Sequence, residues 1–355
     1  MPAASPRAFA GSRVTTPRLT MNVWACGPED GVPLLLVHGN LTTGGFWRYV
    51  AAELQDDVRV VAPDLRGYGD TDPVPVDATR GLGDMVDDVH GLLETLGLAG
   101  SRRVNAAGWS MGAGVLQQLM LEHPDDLASV TLLAPLSPYG FGGTRGDRGE
   151  RVSADGAGTG GGGVSPEFVR RLAARDASEL DPPTSPRLTL RTFFGPGANA
   201  AAVDEDFLVE QLLTTRTGDD FYPGDSRPSP HWPGFAPGDR GILNTMAPTH
   251  YDASGIVDLD RKPPVTWLHG TLDQVVGDRS MFDLATLGEL GAVPGWPGAE
   301  TAPSQPMEAQ TRAVLAVYEA NGGRVKEVVL EGVDHGIPLA VPGRVAEEIT
   351  AILVR

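Results

Sequence analysis

Three residues of this chain carry side chains that together can run nucleophilic catalysis: Ser110, Asp273 and His335. A serine hydroxyl is a weak nucleophile near neutral pH and needs a base within hydrogen-bond reach. An imidazole can be that base, and a carboxylate on its other nitrogen fixes the tautomer and stabilises the imidazolium. Ser110 stands in Gly108-Trp109-Ser110-Met111-Gly112, a G-x-S-x-G run. Such a run makes a sharp strand-to-helix turn that lifts the serine above a parallel sheet, with glycines where a side chain would collide.

The surrounding elements are those the chemistry requires. A short apolar run begins at Val104, and helical spacing follows from Met111 to Glu122, ending at His123-Pro124. The apolar run Pro264 to Leu268 leads into His269-Gly270-Thr271-Leu272-Asp273, which places Asp273 just past a strand's carboxyl end. Lys326 to Leu330 reads as another strand, and His335 follows it on a loop. Open α/β sheets bind ligands outside the carboxyl ends of their strands, so the three loops share one edge. Asp278 is a rival to Asp273 as the acid, and Asp334 is a local alternative beside His335.

With these motifs the chain resembles the α/β-hydrolase fold superfamily from about Thr20 to its end, apart from a poorly matching middle. Leu34 to Asn40 looks like the family's third strand and oxyanion loop. Val60 to Asp70 is similar to the strand and loop that follow, and Val130 to Ala134 to the strand after the nucleophile helix. The nearest group is the bacterial serine esterases, lactonases and cofactor-free haloperoxidases. The resemblance implies Ser110 as nucleophile, Asp273 as acid and His335 as base, in the chain order Ser, Asp, His. It also implies two backbone N–H donors for a tetrahedral oxyanion, from Met111 and Asn40, with Leu41 as the alternative to Asn40. Leu41 and Trp109 are expected beside the substrate. Phe46 and Trp47 are further candidates for the pocket walls, with core packing as the alternative; His250 and Tyr251 could reach the substrate, but are expected on a solvated loop. His38 and His269 are expected to brace loops, and Asp64 and Arg66 to pair as ions.

Composition narrows the partners. Hydrophobic residues make up 41% of 355 residues, enough for a sizeable core. A formal net charge of −18 disfavours nucleic acid and anionic membrane as partners, which such a surface would repel. The single cysteine, Cys26, allows no intrachain disulfide and no cysteine metal cluster. His90 and His123 stand singly on helical stretches, so no metal constellation is expected. No dinucleotide or P-loop glycine motif is present, so no cofactor is expected. The first twelve residues lack the apolar stretch of a signal peptide, and no run is long enough to span a membrane. A soluble cytoplasmic protein is the expectation; its oligomeric state stays open, a homodimer included.

Alternating strands and helices predict an α/β class: a mostly parallel, twisted sheet flanked by helices. Val32 to Val37 and Val58 to Ala62 read as buried strands, Leu19 to Trp24 as an early antiparallel one, and Gly83 to Leu96 as an amphipathic helix. The core is expected over residues 1–136 and 261–355. Residues 137–260 read as an inserted cap, with helices at Pro166 to Arg175 and Asp204 to Arg216. Its glycine-rich start, 140–163, has a composition expected to stay flexible. A second insertion runs from Asp278 to Gly323, with a helix at Pro306 to Ala320.

The expected activity is hydrolysis of a carboxylic ester or lactone through an acyl-enzyme. Trp232, Phe235, Phe193 and Phe194 in the cap favour a bulky apolar substrate. The same triad serves carbon–carbon bond hydrolases, amidases and perhydrolases, and a non-catalytic binding protein on the same scaffold is the rival from another class.

Overall fold

Continuous runs of branched aliphatic residues become strands buried on both faces. They are β3 (Val32–Val37), β4 (Val58–Pro63), β5 (Val104–Trp109) and β6 (Leu127–Leu133), the last buried at every position. The computed structural model describes residues 9–354 apart from residue 55. Residues 1–8, part of the stretch read above against a signal peptide, lie outside the described residues.

The remaining strands are β1 (Ala10–Thr15), β2 (Thr20–Cys26), β13 (Val265–Gly270) and β14 (Val325–Leu330). The eight form one sheet in the order β1-β2-β4-β3-β5-β6-β13-β14. β2 runs antiparallel to both its neighbours, and β4 through β14 are mutually parallel. Strand order reverses between β3 and β5, and at such a switch point the crevice beyond the strand ends is open to a ligand. β1 was not expected: exposed along most of its length, with Ser12, Arg13 and Thr15, it carries no apolar run to read.

Helices cover both faces. α1 (Arg48–Glu53), α2 (Gly83–Thr95) and α3 (Met111–Glu122) precede the insertion. α2 buries Met85, Val86, Val89, Leu92 and Leu93, the apolar stripe of its sequence. Between β6 and β13 the chain leaves the sheet for α4 (Pro166–Ala173), α5 (Pro186–Phe193) and α6 (Glu205–Leu212). Short strand pairs accompany them: β7 (Thr144–Arg145) with β8 (Glu150–Arg151), β9 (Thr217–Gly218) with β10 (Tyr222–Pro223), and β11 (Ser226–Pro228) with β12 (Phe235–Pro237). After β13 come α7 (Leu284–Glu289) and α8 (Met307–Ala320), then α9 (Ile337–Ala340) and α10 (Pro342–Ile352) after β14. Among the described residues no helix is long and apolar enough to cross a membrane.

The glycine-rich segment departs from its expected flexibility. It forms the β7–β8 hairpin and packs by its main chain: a Cβ at Gly161 would lie 2.7 Å from the Gly224 carbonyl oxygen. Buried amides hold it as well. Gln310 Nε2 donates to Thr144 Oγ1 at 3.0 Å, and Asn244 Oδ1 accepts from the Gly161 N–H at 2.9 Å. The glycines here permit close backbone approach, and composition alone does not separate that use from disorder.

Candidate active site

Ser110 sits at the tip between β5 and α3 with φ 58° and ψ −120°, a left-handed conformation that costs a side-chain-bearing residue energy. The flanking glycines make the turn possible. A Cβ on Gly108 would meet the Gly112 carbonyl oxygen at 2.5 Å, and one on Gly112 would meet the Val37 oxygen at 2.3 Å. The Ser110 N–H donates to the Leu133 carbonyl, and its own carbonyl accepts from Ala113 and Gly114, so the sheet and α3 both anchor it.

Asp273 follows β13 and His335 follows β14, neighbouring strands whose ends place the two side by side. His335 Nδ1–H donates to Asp273 Oδ2 at 2.8 Å, with both side chains buried. The other carboxylate oxygen accepts the N–H groups of Val275 and Val276 at 2.7 and 2.9 Å. The carboxylate is therefore fixed by its own loop, and it fixes the imidazole in the tautomer whose Nε2 can take a proton. Asp278 is exposed and caps α8, accepting from the Glu308 and Ala309 N–H groups, so it takes no part. Asp334 turns its carboxylate to the Gly336 N–H, and burial pushes its pKa up.

The loop after β3 lies against the serine. A Cβ on Gly39 would come within 3.0 Å of Ser110 Cβ. His38 braces this loop: its Nε2 accepts from the Leu65 N–H at 2.8 Å, and its Nδ1–H donates to the Gly39 carbonyl at 2.8 Å. Burial drives its pKa down to about 4, so the ring is neutral. Tyr68, unremarked in the sequence reading, donates its hydroxyl to Asn40 Oδ1 at 2.7 Å, while the Leu41 N–H faces the Tyr68 oxygen. Leu41 itself is left-handed, with φ 60°. Among the described residues neither the Asn40 nor the Met111 N–H meets an acceptor in the protein.

Asn40, Leu41, Trp109, Ser110, Met111 and His335 all line one cavity of about 400 Å³, and Asp273 reaches it only through His335. The insertion supplies the facing wall with Phe141, Phe168, Phe193, Phe194 and Tyr222. Met281, Phe282, Asp283 and Leu284, from the second insertion, close one side. No lysine or arginine is among the lining residues.

Several expectations are corrected. Asp64 and Arg66 do not pair with each other. Asp64 accepts from Asn22 Nδ2, Trp24 Nε1 and the Gly44 N–H, whereas Arg66 makes a two-pronged pair with Asp88 and a third bond to Asp84. These loop residues, two positions apart, take different partners, which their closeness in sequence conceals. Tyr251 is buried rather than solvated, its hydroxyl donating to the Gly114 carbonyl at 3.0 Å. Phe46 and Trp47 are fully buried and do not line the cavity; Trp109 does. His90 and His123 are not solitary: their rings stack at 3.7 Å, and Asp126 accepts from His90 Nδ1 at 2.6 Å. With Asp126 they are close enough to share an ion, but stacked rings aim their nitrogens alongside one another instead of at a common point. The cluster lies at the start of β6, the end of the sheet opposite the cavity. His269 stacks on Trp267 and its Nε2 meets Glu327 Oε1 at 2.9 Å, a bracing arrangement.

A family model described as alpha/beta hydrolase fold matches residues 32–159. Over 106 residues the chain is 32% identical to 2-hydroxymuconate semialdehyde hydrolase of Pseudomonas sp. (strain CF600), which covers 29% of this chain and 36% of that protein. The match thus spans about a third of that relative's length. An esterase from Rhodococcus sp. ECU1013 superposes with TM-score 0.58 at 20% identity, covering 97% of this chain and 98% of the other. A bromoperoxidase from Bacillus anthracis gives TM-score 0.58 at 16% identity, covering 97% and 99%. With the sheet order, the glycine-flanked serine turn and the matched segment in agreement, the chain has the α/β-hydrolase fold.

Proposed function

We propose that the protein is a serine hydrolase that cleaves a carboxylic ester or lactone through an acyl-enzyme. One observation carries this reading: a His335–Asp273 pair at 2.8 Å and the strained Ser110 turn serve the same cavity. Ser110 Oγ attacks the carbonyl carbon while its proton passes to His335 Nε2. The carbonyl oxygen becomes an oxyanion, held by the Met111 and Asn40 N–H groups, with the Leu41 N–H as the alternative to Asn40. Collapse breaks the bond to the alcohol oxygen, which takes the proton from His335. Water then attacks the acyl-serine with His335 again as base, and Ser110 regains its proton.

The cavity supports a bulky, largely apolar acyl or ring substrate without a carboxylate. Phenylalanines form much of its wall, and a substrate carboxylate would find no basic side chain other than His335. A serine at position 110 argues against reactions that need a carboxylate nucleophile and an alkyl-ester intermediate. Amide, carbon–carbon and perhydrolytic reactions use the same triad, and a panel of matched substrates separates them. The net charge of −18 keeps the expected partner a small molecule, not nucleic acid or an anionic membrane.

The test is turnover of p-nitrophenyl esters with fluorophosphonate labelling. Wild type should hydrolyse the esters and take up one label at Ser110. Ser110→Ala should lose both, with kcat down by ~10⁴-fold or more and the melting curve kept. Activity within tenfold of wild type would overturn the assignment, and absent labelling of the wild type would favour a binding protein.

A further inference from the structure

A second cavity, of about 260 Å³, adjoins the first, and Gly158, Asp283 and Leu284 line both. Asp283 is the one acidic side chain on either wall, and it is 3% exposed. Its Oδ1 accepts from the Ala285 N–H at 3.0 Å, capping α7, and its Oδ2 accepts from the Gln305 N–H at 2.7 Å. Among the described residues no basic side chain pairs with it, and burial raises its pKa.

A cap alone does not call for a carboxylate. Serine, threonine or asparagine accepts the same N–H without placing a charge where water is scarce. Among other buried carboxylates, Asp88 has Arg66 and Arg18, and Asp64, which lines neither cavity, has four neutral donors in Asn22, Trp24 and the Gly44 and Asp70 N–H groups. Asp283 has two main-chain dipoles and a ligand-sized space on each side. Trp232 lines the second cavity, held by its indole N–H on the Pro294 carbonyl, and an aromatic face suits an organic cation. The only other titratable group on that wall is the exposed His231. At long range, the net charge of −18 draws cations in.

We propose that Asp283 binds an ammonium group on the substrate, so that the ester cleaved at Ser110 carries a basic nitrogen at its far, otherwise apolar, end. This rests on the hydrolase reading for the reaction but not for the binding. The apolar stretch fills the first cavity and the nitrogen lies at the boundary with the second, between Asp283 and Trp232.

The test is calorimetric binding at pH 7 of hexylammonium against hexanol, two ligands matched in length. Wild type should bind the ammonium at least about 10-fold more tightly, and Asp283→Asn, which keeps a capping oxygen, should reduce that preference to within about twofold. Equal affinities in the wild type, or a preference that survives in Asp283→Asn, would overturn the proposal. The wild-type comparison decides even if the variant fails to fold. Ester turnover by the wild type without an ammonium preference sinks this inference alone. The preference without turnover or serine labelling sinks the hydrolase reading alone.

Discussion

Trp109 donates its indole N–H to the carbonyl oxygen of His335 at 2.8 Å. The residue before the proposed nucleophile thus holds the backbone of the proposed base, 226 positions along the chain. The two rings also lie 5.8 Å apart. Trp109→Phe keeps an aromatic ring and removes the donor, leaving a buried carbonyl unsatisfied, for a stability loss of about 1–3 kcal/mol. Small displacements of a catalytic group can lower rates by up to about 10²-fold. We expect kcat to fall while KM changes little, as read by steady-state kinetics on one ester. A fall confined to stability would make the bond merely structural.

Asp273→Asn tests the acid. The amide matches the shape, but only one of its two ends can accept, and Val275, Val276 and His335 now supply three donors. The imidazole loses its orienting charge, and kcat should drop by roughly 10³- to 10⁴-fold. Asp278→Asn, at the α8 cap, should leave kcat within about twofold by the same assay, because that carboxylate makes no contact with His335.

His38 makes stability depend on pH with a definite sign. Folded, its pKa is held at about 4 by burial; unfolded, it returns to the ordinary histidine value of 6.5. Between those values the unfolded chain binds a proton that the folded one does not, so acid favours unfolding. Stability from this residue is complete above pH 6.5, declines as pH falls towards 4, and then levels off, a total of roughly 3 kcal/mol. Urea melts at pH 7 and 4.5 should show a smaller decline in His38→Asn than in wild type. Equal slopes would refute the linkage.

The Arg66–Asp88 pair is buried, with donor–acceptor distances of 2.8 and 2.9 Å. Asp88→Ala leaves Arg66 with Asp84 and the Pro75 carbonyl and should destabilise the fold by about 3–5 kcal/mol. Replacing both partners by apolar residues of similar size should recover much of that. Chemical denaturation of the single and double variants measures the difference.

How legible these features were depended on the range of the interaction. β3 ran from Val32 to Val37 and α3 from Met111 to Glu122, as their patterns predicted, because local periodicity and Pro124 specify them. Ser110, Asp273 and His335 could be read because each sits just beyond a strand whose apolar run marks its end. Arg66 could not be matched to Asp88, nor His90 to His123, because those pairings are set by how α2 packs. β1 escaped because an exposed edge strand needs no apolar alternation. Asp283 carries no signal in the sequence, because only its burial between two cavities sets it apart from other loop carboxylates.

Gly142, Gly158, Gly160 and Gly163 line the cavity along with Thr159. On that side the chamber presents chiefly peptide groups, with few side chains to exchange. Gly142, Gly158 and Gly160 have φ between 74° and 81°, which most replacements would resist. Natural variation in what this chamber accepts must therefore accumulate on the phenylalanine side, and the peptide side acts as a fixed ruler against which new ligands are measured.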